Sequence, residues 1–110
     1  MVHLIKKYSS EIEMTRDLAK CLPFFADSGF SGMPIHAGIF ADLLWNGGTR
    51  GPNKITLERD INRTQLWFRF DFMWVVCSRY DDGHFECNIE DLYGMNEEPF
   101  REIGFKDQEV

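Results

Sequence analysis

The sequence predicts an α+β fold in which two helices pack on one face of a three-stranded antiparallel β-meander, followed by an acidic C-terminal segment. Apolar residues recur with helical spacing before residue 54 and alternate with a period of two after it. Turn-forming residues interrupt the alternating part. The chain carries a formal net charge of −6, and residues 80–110 hold ten acidic residues against two basic ones. These three observations define the predicted parts of the molecule.

Length and composition predict one domain across residues 1–110, with a helical part at 1–53, the meander at 54–90 and the acidic C-terminal segment at 91–110. Three cysteines form an odd and sparse set, which favours a reducing compartment over a disulfide scaffold. We find no signal sequence and no apolar stretch near the ~20 residues of a membrane helix. The sequence therefore predicts a cytoplasmic protein without membrane contact.

The first helix is predicted to follow Ser10 and to stop at Pro23. Ser10 and Glu13 have the spacing of a capping box, whose two side chains satisfy free backbone amides at the helix start. Met14 and Leu18 then mark one helical face, and Pro23 ends the helix because it has no amide proton. The preceding apolar residues fit either a short edge strand or a lead-in to this helix.

A second helix is predicted after a loop at residues 24–33. Pro34 suits the first turn of a helix, where its missing amide is not needed. Apolar residues from Ile35 to Leu44 form a stripe with helical spacing, and Asn46 followed by two glycines ends it. Both helices would then present an apolar face to the sheet.

Three strands are predicted at residues 54–60, 65–79 and 84–90, the middle one being a long strand or a bent pair of strands. A four-residue loop at 61–64 would pair Leu57 with Phe68. A two-residue loop at Asp82-Gly83 would pair Ser78 with Cys87. In both registers the apolar residues share a face.

A three-residue second loop is the alternative. It would place Cys77 opposite Cys87, but on this assignment of faces it would bury Asn88 and Glu86. The two-residue loop is therefore the predicted one.

Metal, cofactor and catalytic sites are not predicted. His84 and Cys87 lie on opposite faces of a strand, whereas zinc needs convergent ligands. His36 lacks a partner set by a motif, and the glycine-rich loop around Arg50 runs from helix to strand, the wrong direction for a phosphate loop. A small enzyme, or an enzyme subunit, with a pocket near His36 and the Arg50 loop is the alternative function.

Trp67, Met73 and Val75 are predicted to lie on the polar face of the meander. Either the C-terminal segment covers them or they form an exposed apolar patch. In the second case Trp67 is the expected anchor, since tryptophan is enriched among interface residues that dominate binding.

The leading functional hypothesis is a non-enzymatic protein-binding module that docks on a protein with a basic surface, such as a nucleic-acid-processing enzyme. Direct binding to nucleic acid is not expected, because phosphate contacts need clustered Lys and Arg. The predicted contact residues are Glu86, Glu90, Asp91, Glu97, Glu98, Glu102 and Trp67. In size and charge the chain is similar to the small acidic inhibitors that phages use against restriction or CRISPR nucleases. A homo-oligomer formed through an exposed strand edge or through the outer face of the sheet is a third hypothesis.

Overall fold

A computed structural model describes residues 2–27, 52–92 and 97–108. The strands are β1 Val2–Tyr8, β2 Lys54–Arg59, β3 Arg63–Phe70, β4 Met73–Tyr80, β5 Phe85–Leu92 and β6 Lys106–Asp107. The helices of these residues are α1 Glu11–Cys21, α2 Pro23–Asp27 and α3 Glu98–Glu102. All six strands form one antiparallel sheet in the order β2-β3-β4-β5-β1-β6.

The predicted fold class, two helices on a three-stranded meander, is wrong. The described residues form a mostly β structure with six strands and three short helices. The residues of β1, for which the sequence left a short edge strand or a helix lead-in open, form a strand inside the sheet, between β5 and β6. The strand β6 was not predicted, because its pairing with β1 is distant in sequence. Local periodicity carries no information about such partners. The stretch 65–79, predicted as a long strand or a bent pair of strands within a three-stranded meander, forms two strands that are joined by a turn and pair with each other.

The turn at Asp71 and Phe72 exchanges the two faces of the sheet between β3 and β4. The core side chains are even-numbered in β3, such as Phe68, and odd-numbered in β4, such as Val75, which pairs directly with Phe68. Met73 and Val75 therefore lie in the core rather than on the polar face. We call the core side, which carries α1 and α2, the helix face, and the opposite side the outer face.

The first hairpin has a shorter loop than predicted. Leu57 pairs with Leu66 rather than with Phe68, and the Asp60 amide donates to the Arg63 carbonyl at 2.9 Å. Because the register differs by two residues, every side chain keeps its predicted face.

The second hairpin adopts the alternative register, with Cys77 opposite Cys87. Its three-residue loop ends at Gly83, whose φ of 97° suits the left-handed position of such loops. Asn88 and Glu86 are not forced into the core, because β4 presents Val76 and Ser78 to the outer face beside them. The sequence prediction set this register aside because it assigned the faces as if one strand ran without interruption through residues 71 and 72.

Helix α1 begins after Ser10 and ends before Pro23, as predicted, and buries Met14 and Leu18. Ser10 occupies the N-cap position but forms no side-chain capping bond, so the predicted capping box is not formed. Pro23 also starts α2, where the sequence predicted a loop. The predicted second helix at Pro34 lies outside the described residues.

The helices, the sheet and the C-terminal segment share one hydrophobic core. Phe24 of α2 contacts Phe68 with tilted rings whose centroids are 6.2 Å apart. Phe25 contacts the same ring edge-on, with the centroids 5.2 Å apart. Phe100 and Phe105 are both 2% exposed in this same core and contact each other edge-on. The described residues 97–105 of the C-terminal segment therefore pack on the helix side of the sheet rather than over Trp67.

Candidate protein-binding surfaces

The fold divides the predicted acidic site between the two sides of the sheet. Glu86 and Glu90 alternate with core residues along β5 and lie on the outer face. Helix α3, with Glu98 and Glu102, packs against α1 on the helix side. The predicted residues therefore do not form one continuous surface, because the sheet separates the two groups.

The Glu90 carboxylate is held by contacts with other residues of the same chain. Its carboxylate lies 2.7 Å from Nδ1 of His3 and accepts a 3.0 Å hydrogen bond from the Gln108 side chain. Asp91 lies in an irregularity of the β1–β5 pairing, with a φ of 55°, and its carboxylate is 4.0 Å from His3. These two acids hold the β1 and β6 end of the sheet together, which limits what they can offer to a partner.

Glu97 is also engaged. Arg101 donates to Glu97 at 3.1 Å and to Asp107 at 2.8 Å, so one guanidinium joins α3 to β6. The hydrogen bond from Arg101 lowers the pKa of Asp107 below its usual value. This ion-pair network orders the C-terminal segment at the surface.

Glu98 and Glu102 are the two predicted acids whose carboxylates are exposed and form no hydrogen bond or ion pair with the described residues. They stand four residues apart on α3, so both project from one side of the helix. Phe100 between them is buried and fixes the helix on the core. The backbone that carries these two side chains is therefore anchored on the core, while the carboxylates themselves face solvent.

Trp67 lies on the outer face, packed among other side chains. Its ring contacts Trp74 edge-on at 5.6 Å, and its Nε1 donates to Gln65 at 3.3 Å. Arg69 stacks over the Trp74 ring at 4.8 Å. Glu86, on the same face, accepts a 3.1 Å hydrogen bond from the Tyr80 hydroxyl.

A polar network that was not predicted from the sequence lies under the C-terminal segment. Asp17 of α1 accepts hydrogen bonds from the Lys6 ammonium and the Tyr8 hydroxyl, both at 2.7 Å. Lys6 also donates to the Ile103 carbonyl at 2.6 Å. Nothing in the sequence signals this network, because its members come from three separate segments.

The network controls the ionisation of its members. Burial raises the pKa of Asp17, but the hydrogen bonds from Lys6 and Tyr8 outweigh it and leave the pKa below its usual value. Burial raises the pKa of Tyr8, and the Asp17 carboxylate raises it further. At neutral pH the carboxylate is therefore charged and the phenol is neutral, as a structural cross-link requires.

None of the three cysteines forms a disulfide bond. Cys77 and Cys87 are fully buried and paired across β4 and β5. Burial and the contact with Cys77 raise the pKa of Cys87. Burial likewise raises the pKa of Cys21 to about 11. Low thiolate content makes the thiols of Cys87 and Cys21 poor nucleophiles at neutral pH.

A shallow cleft of about 670 Å³ opens at the β1 side of the sheet. Its charged lining comprises Lys6, Lys7, Glu86, Lys106 and Asp107. Across the described ranges 2–27, 52–92 and 97–108, no three His, Cys, Asp or Glu residues converge as metal ligands. His36 and Arg50, the basis of the alternative enzyme hypothesis, lie outside these ranges.

The geometry defines a class of structure, an antiparallel sheet with helices on one side, and does not identify a particular family. No family model, curated protein or solved structure matches the chain. None of the helices in the described part is long and apolar enough to cross a membrane.

Proposed function

We propose that the protein is a non-enzymatic protein-binding module that docks an acidic surface on a basic surface of its partner. The observation that carries this proposal is the pair Glu98 and Glu102, exposed on a helix that Phe100 anchors in the core. Because the backbone of this helix is already ordered on the core, binding need not order it, and the two exposed carboxylates attract a basic surface over several ångströms.

The partner class is a nuclease or another nucleic-acid-processing complex. Such proteins carry clustered Lys and Arg that neutralise phosphates, and an acidic protein can occupy the same groove. Small acidic phage inhibitors of restriction or CRISPR nucleases work by this principle, and this chain is similar to them in size and charge. Association should then be fast at low salt and weaken steeply as salt rises.

Within the predicted contact set, α3 forms the centre of the proposed interface. Glu97 contributes through its bond to Arg101, which keeps the helix end ordered. Glu86, Glu90 and Trp67 lie on the outer face, so they join the contact only for a partner that wraps round the sheet edge. Neutralising the α3 pair should therefore remove most of the binding.

The experiment immobilises three forms of the protein and captures partners from an extract of its native cell, with elution stepped from low salt to about 0.5 M. The forms are the wild type, the E98Q/E102Q variant and a control, E13Q/D71N, which removes two exposed charges elsewhere. We expect the wild type and the control to retain a nucleic-acid-processing protein that E98Q/E102Q loses.

The captured protein is then assayed with its own nucleic acid substrate. Inhibition by the wild type and the control, but not by E98Q/E102Q, supports the proposal. Equal capture by all three forms, or capture by none of them at low salt, would sink it.

A further inference from the structure

Strand β2 ends the sheet on one side: within the part of the chain that the structure describes, no strand pairs with its outer edge. Opposite residues in an antiparallel pair alternate between bonded and non-bonded positions. Since Asp60 bonds Arg63 of β3, the even-numbered residues of β2 face β3 with their backbone groups. The amides and carbonyls of Ile55, Leu57 and Arg59 therefore point away from the sheet, at what we call the β2 edge.

The side chains along the β2 edge are distributed unequally between the faces. Leu57 on the helix face is 45% exposed, although it is a large apolar residue, and Ile55 lies beside it. Lys54 and Glu58 are exposed on the outer face, and neither forms an ion pair or a side-chain hydrogen bond with another described residue. They stand four residues apart with Thr56 midway between them.

This arrangement is complementary to itself. We propose that β2 pairs antiparallel with β2 of a second copy of this chain, around a two-fold axis at Thr56, to form a homodimer with one continuous sheet. Lys54 then lies opposite Glu58 of the second copy, and Glu58 opposite its Lys54. Ile55 and Leu57 lie opposite each other in the same way, at positions whose outward backbone groups can exchange hydrogen bonds.

The register follows from the backbone and the side chains together. Only registers that place odd-numbered residues opposite one another satisfy the outward amides. A shift that centres the axis on Leu57 would place Ile55 opposite Arg59, and it would leave Glu58 opposite Thr56. The axis at Thr56 instead pairs apolar with apolar, opposite charge with opposite charge, and threonine with threonine, which are the favourable cross-strand pairs.

Charges on an exposed edge commonly prevent strand pairing. The charges of Lys54 and Glu58 oppose pairing of β2 with an unrelated strand edge. With a second copy of β2, each charge instead lies opposite one of the other sign. Arg101 joins α3 to β6, and β6 and β2 lie at opposite ends of the sheet. The proposed dimer interface at β2 is therefore independent of the proposed acidic interface on α3.

The test measures dimer dissociation constants by sedimentation equilibrium for the wild type, K54E, E58K and K54E/E58K. Each single variant places like charges opposite each other twice in the dimer. We expect roughly tenfold weaker dimerisation for both, because two cross-strand pairs change sign. The double variant exchanges the two charges and should return the dissociation constant to within about threefold of the wild type. Far-UV circular dichroism controls for folding.

A second variant tests the backbone part of the proposal. In L57P the missing amide points away from β3, so proline at this edge leaves the monomer's own pairing intact. It should abolish dimerisation while circular dichroism remains unchanged. A wild type that is monomeric at about 100 µM would overturn the proposal, since micromolar contacts are populated there. Dimerisation unaffected by K54E and E58K, or not restored in K54E/E58K, would overturn the register.

Discussion

The two edges of the sheet are built differently. At the β1 side, β6 pairs with β1, the Gln108 amide donates to the His3 carbonyl, and Lys6 holds the Ile103 carbonyl of the C-terminal segment. At the β2 edge, no described element lies alongside the strand, and Leu57 stays 45% exposed. The two-residue strand β6 covers part of β1, whereas none of the described residues pairs with the β2 edge.

The difference shows what the C-terminal segment does structurally. Its residues 97–108 return over the helix face, insert Phe100 and Phe105 into the core, and end as the strand that covers part of β1. An uncovered strand edge is a template for association. Because β6 has two residues, it offers little backbone for pairing, so we expect association through strands at β2, which suits a dimer rather than an open chain of molecules.

The largest expected effect is a loss of folding stability when the packing of the C-terminal segment, at the β1 side of the sheet, is disrupted. Phe100→Ala should lower the free energy of unfolding by about 3–5 kcal/mol, because it removes a buried ring and leaves a cavity under α3. Leu57→Ala at the β2 edge should cost below about 1 kcal/mol, since almost half of this side chain is already in water. Urea denaturation of both variants below the dimer concentration range measures the two costs.

Similar costs for Phe100→Ala and Leu57→Ala would break the comparison. They would show that the β2 edge is as well packed in solution as the β1 side. A changed slope of the unfolding free energy against urea in Phe100→Ala would show instead that the C-terminal segment unfolds separately.

The next effect concerns the polar network beneath the C-terminal segment. Asp17→Asn should cost roughly 2 kcal/mol at pH 7, because Lys6 and Tyr8 lose a charged hydrogen-bond acceptor. Glu13→Gln, an exposed position on the same helix, is the matched control and should leave stability unchanged. Thermal or urea unfolding at pH 7 checks both.

The pH dependence gives this prediction a second measurement. The pKa of Asp17 in the folded protein lies below its ordinary value of 3.8. Its stabilising contribution is therefore complete above that value and is lost as the pH falls through the folded pKa. We expect the difference between wild type and Asp17→Asn to shrink below about pH 4. A difference that is constant down to pH 2 would contradict the ionic role of Asp17.

A smaller effect is expected at the tip of the β4–β5 hairpin. Gly83 has a φ of 97°, and a Cβ built there would meet no atom within 4 Å. Gly83→Ala should therefore cost roughly 1 kcal/mol from backbone strain alone. Gly83→Asn should cost less, because asparagine tolerates positive φ better. Equal stability of all three proteins in urea would show that the three-residue loop is not the one populated.

The sequence predicted the local elements where periodicity and turn chemistry are strong. The helix from Glu11 to Cys21 and the strand from residue 85 onward were correct, because capping position, proline and alternation all act within a few residues. The turn at Asp71 and Phe72 was not predicted, although aspartate favours turns, because apolar residues alternate without interruption from Leu66 to Val76. That one turn reversed the faces of Met73 and Val75 and with them the hairpin register.

The candidate site was predictable as a composition but not as a surface. The sequence shows that residues 80–110 are acidic, yet only the structure separates Glu90, bound to His3, from Glu98 and Glu102, which have no hydrogen-bond or ion-pair partner among the described residues. These differences depend on contacts between residues that are up to 87 positions apart. The self-complementary spacing of Lys54 and Glu58 was visible in the sequence, but its meaning requires knowing that β2 is the terminal strand.

The smallest and most specific effect is on amide hydrogen exchange at the β2 edge. In a monomer the Ile55 and Leu57 amides have no backbone partner among the described residues, so they should exchange far faster than the Ile89 amide in the middle of the sheet. In the proposed dimer these amides are bonded. With about nine-tenths of the chains dimeric, their exchange should slow about tenfold, while Ile89 stays unchanged. L57P provides the control, because its Ile55 amide should exchange rapidly at every concentration. Slow exchange of Ile55 and Leu57 in dilute wild-type protein would show that the chain covers this edge itself, and it would remove both the contrast between the two edges and the dimer built on it.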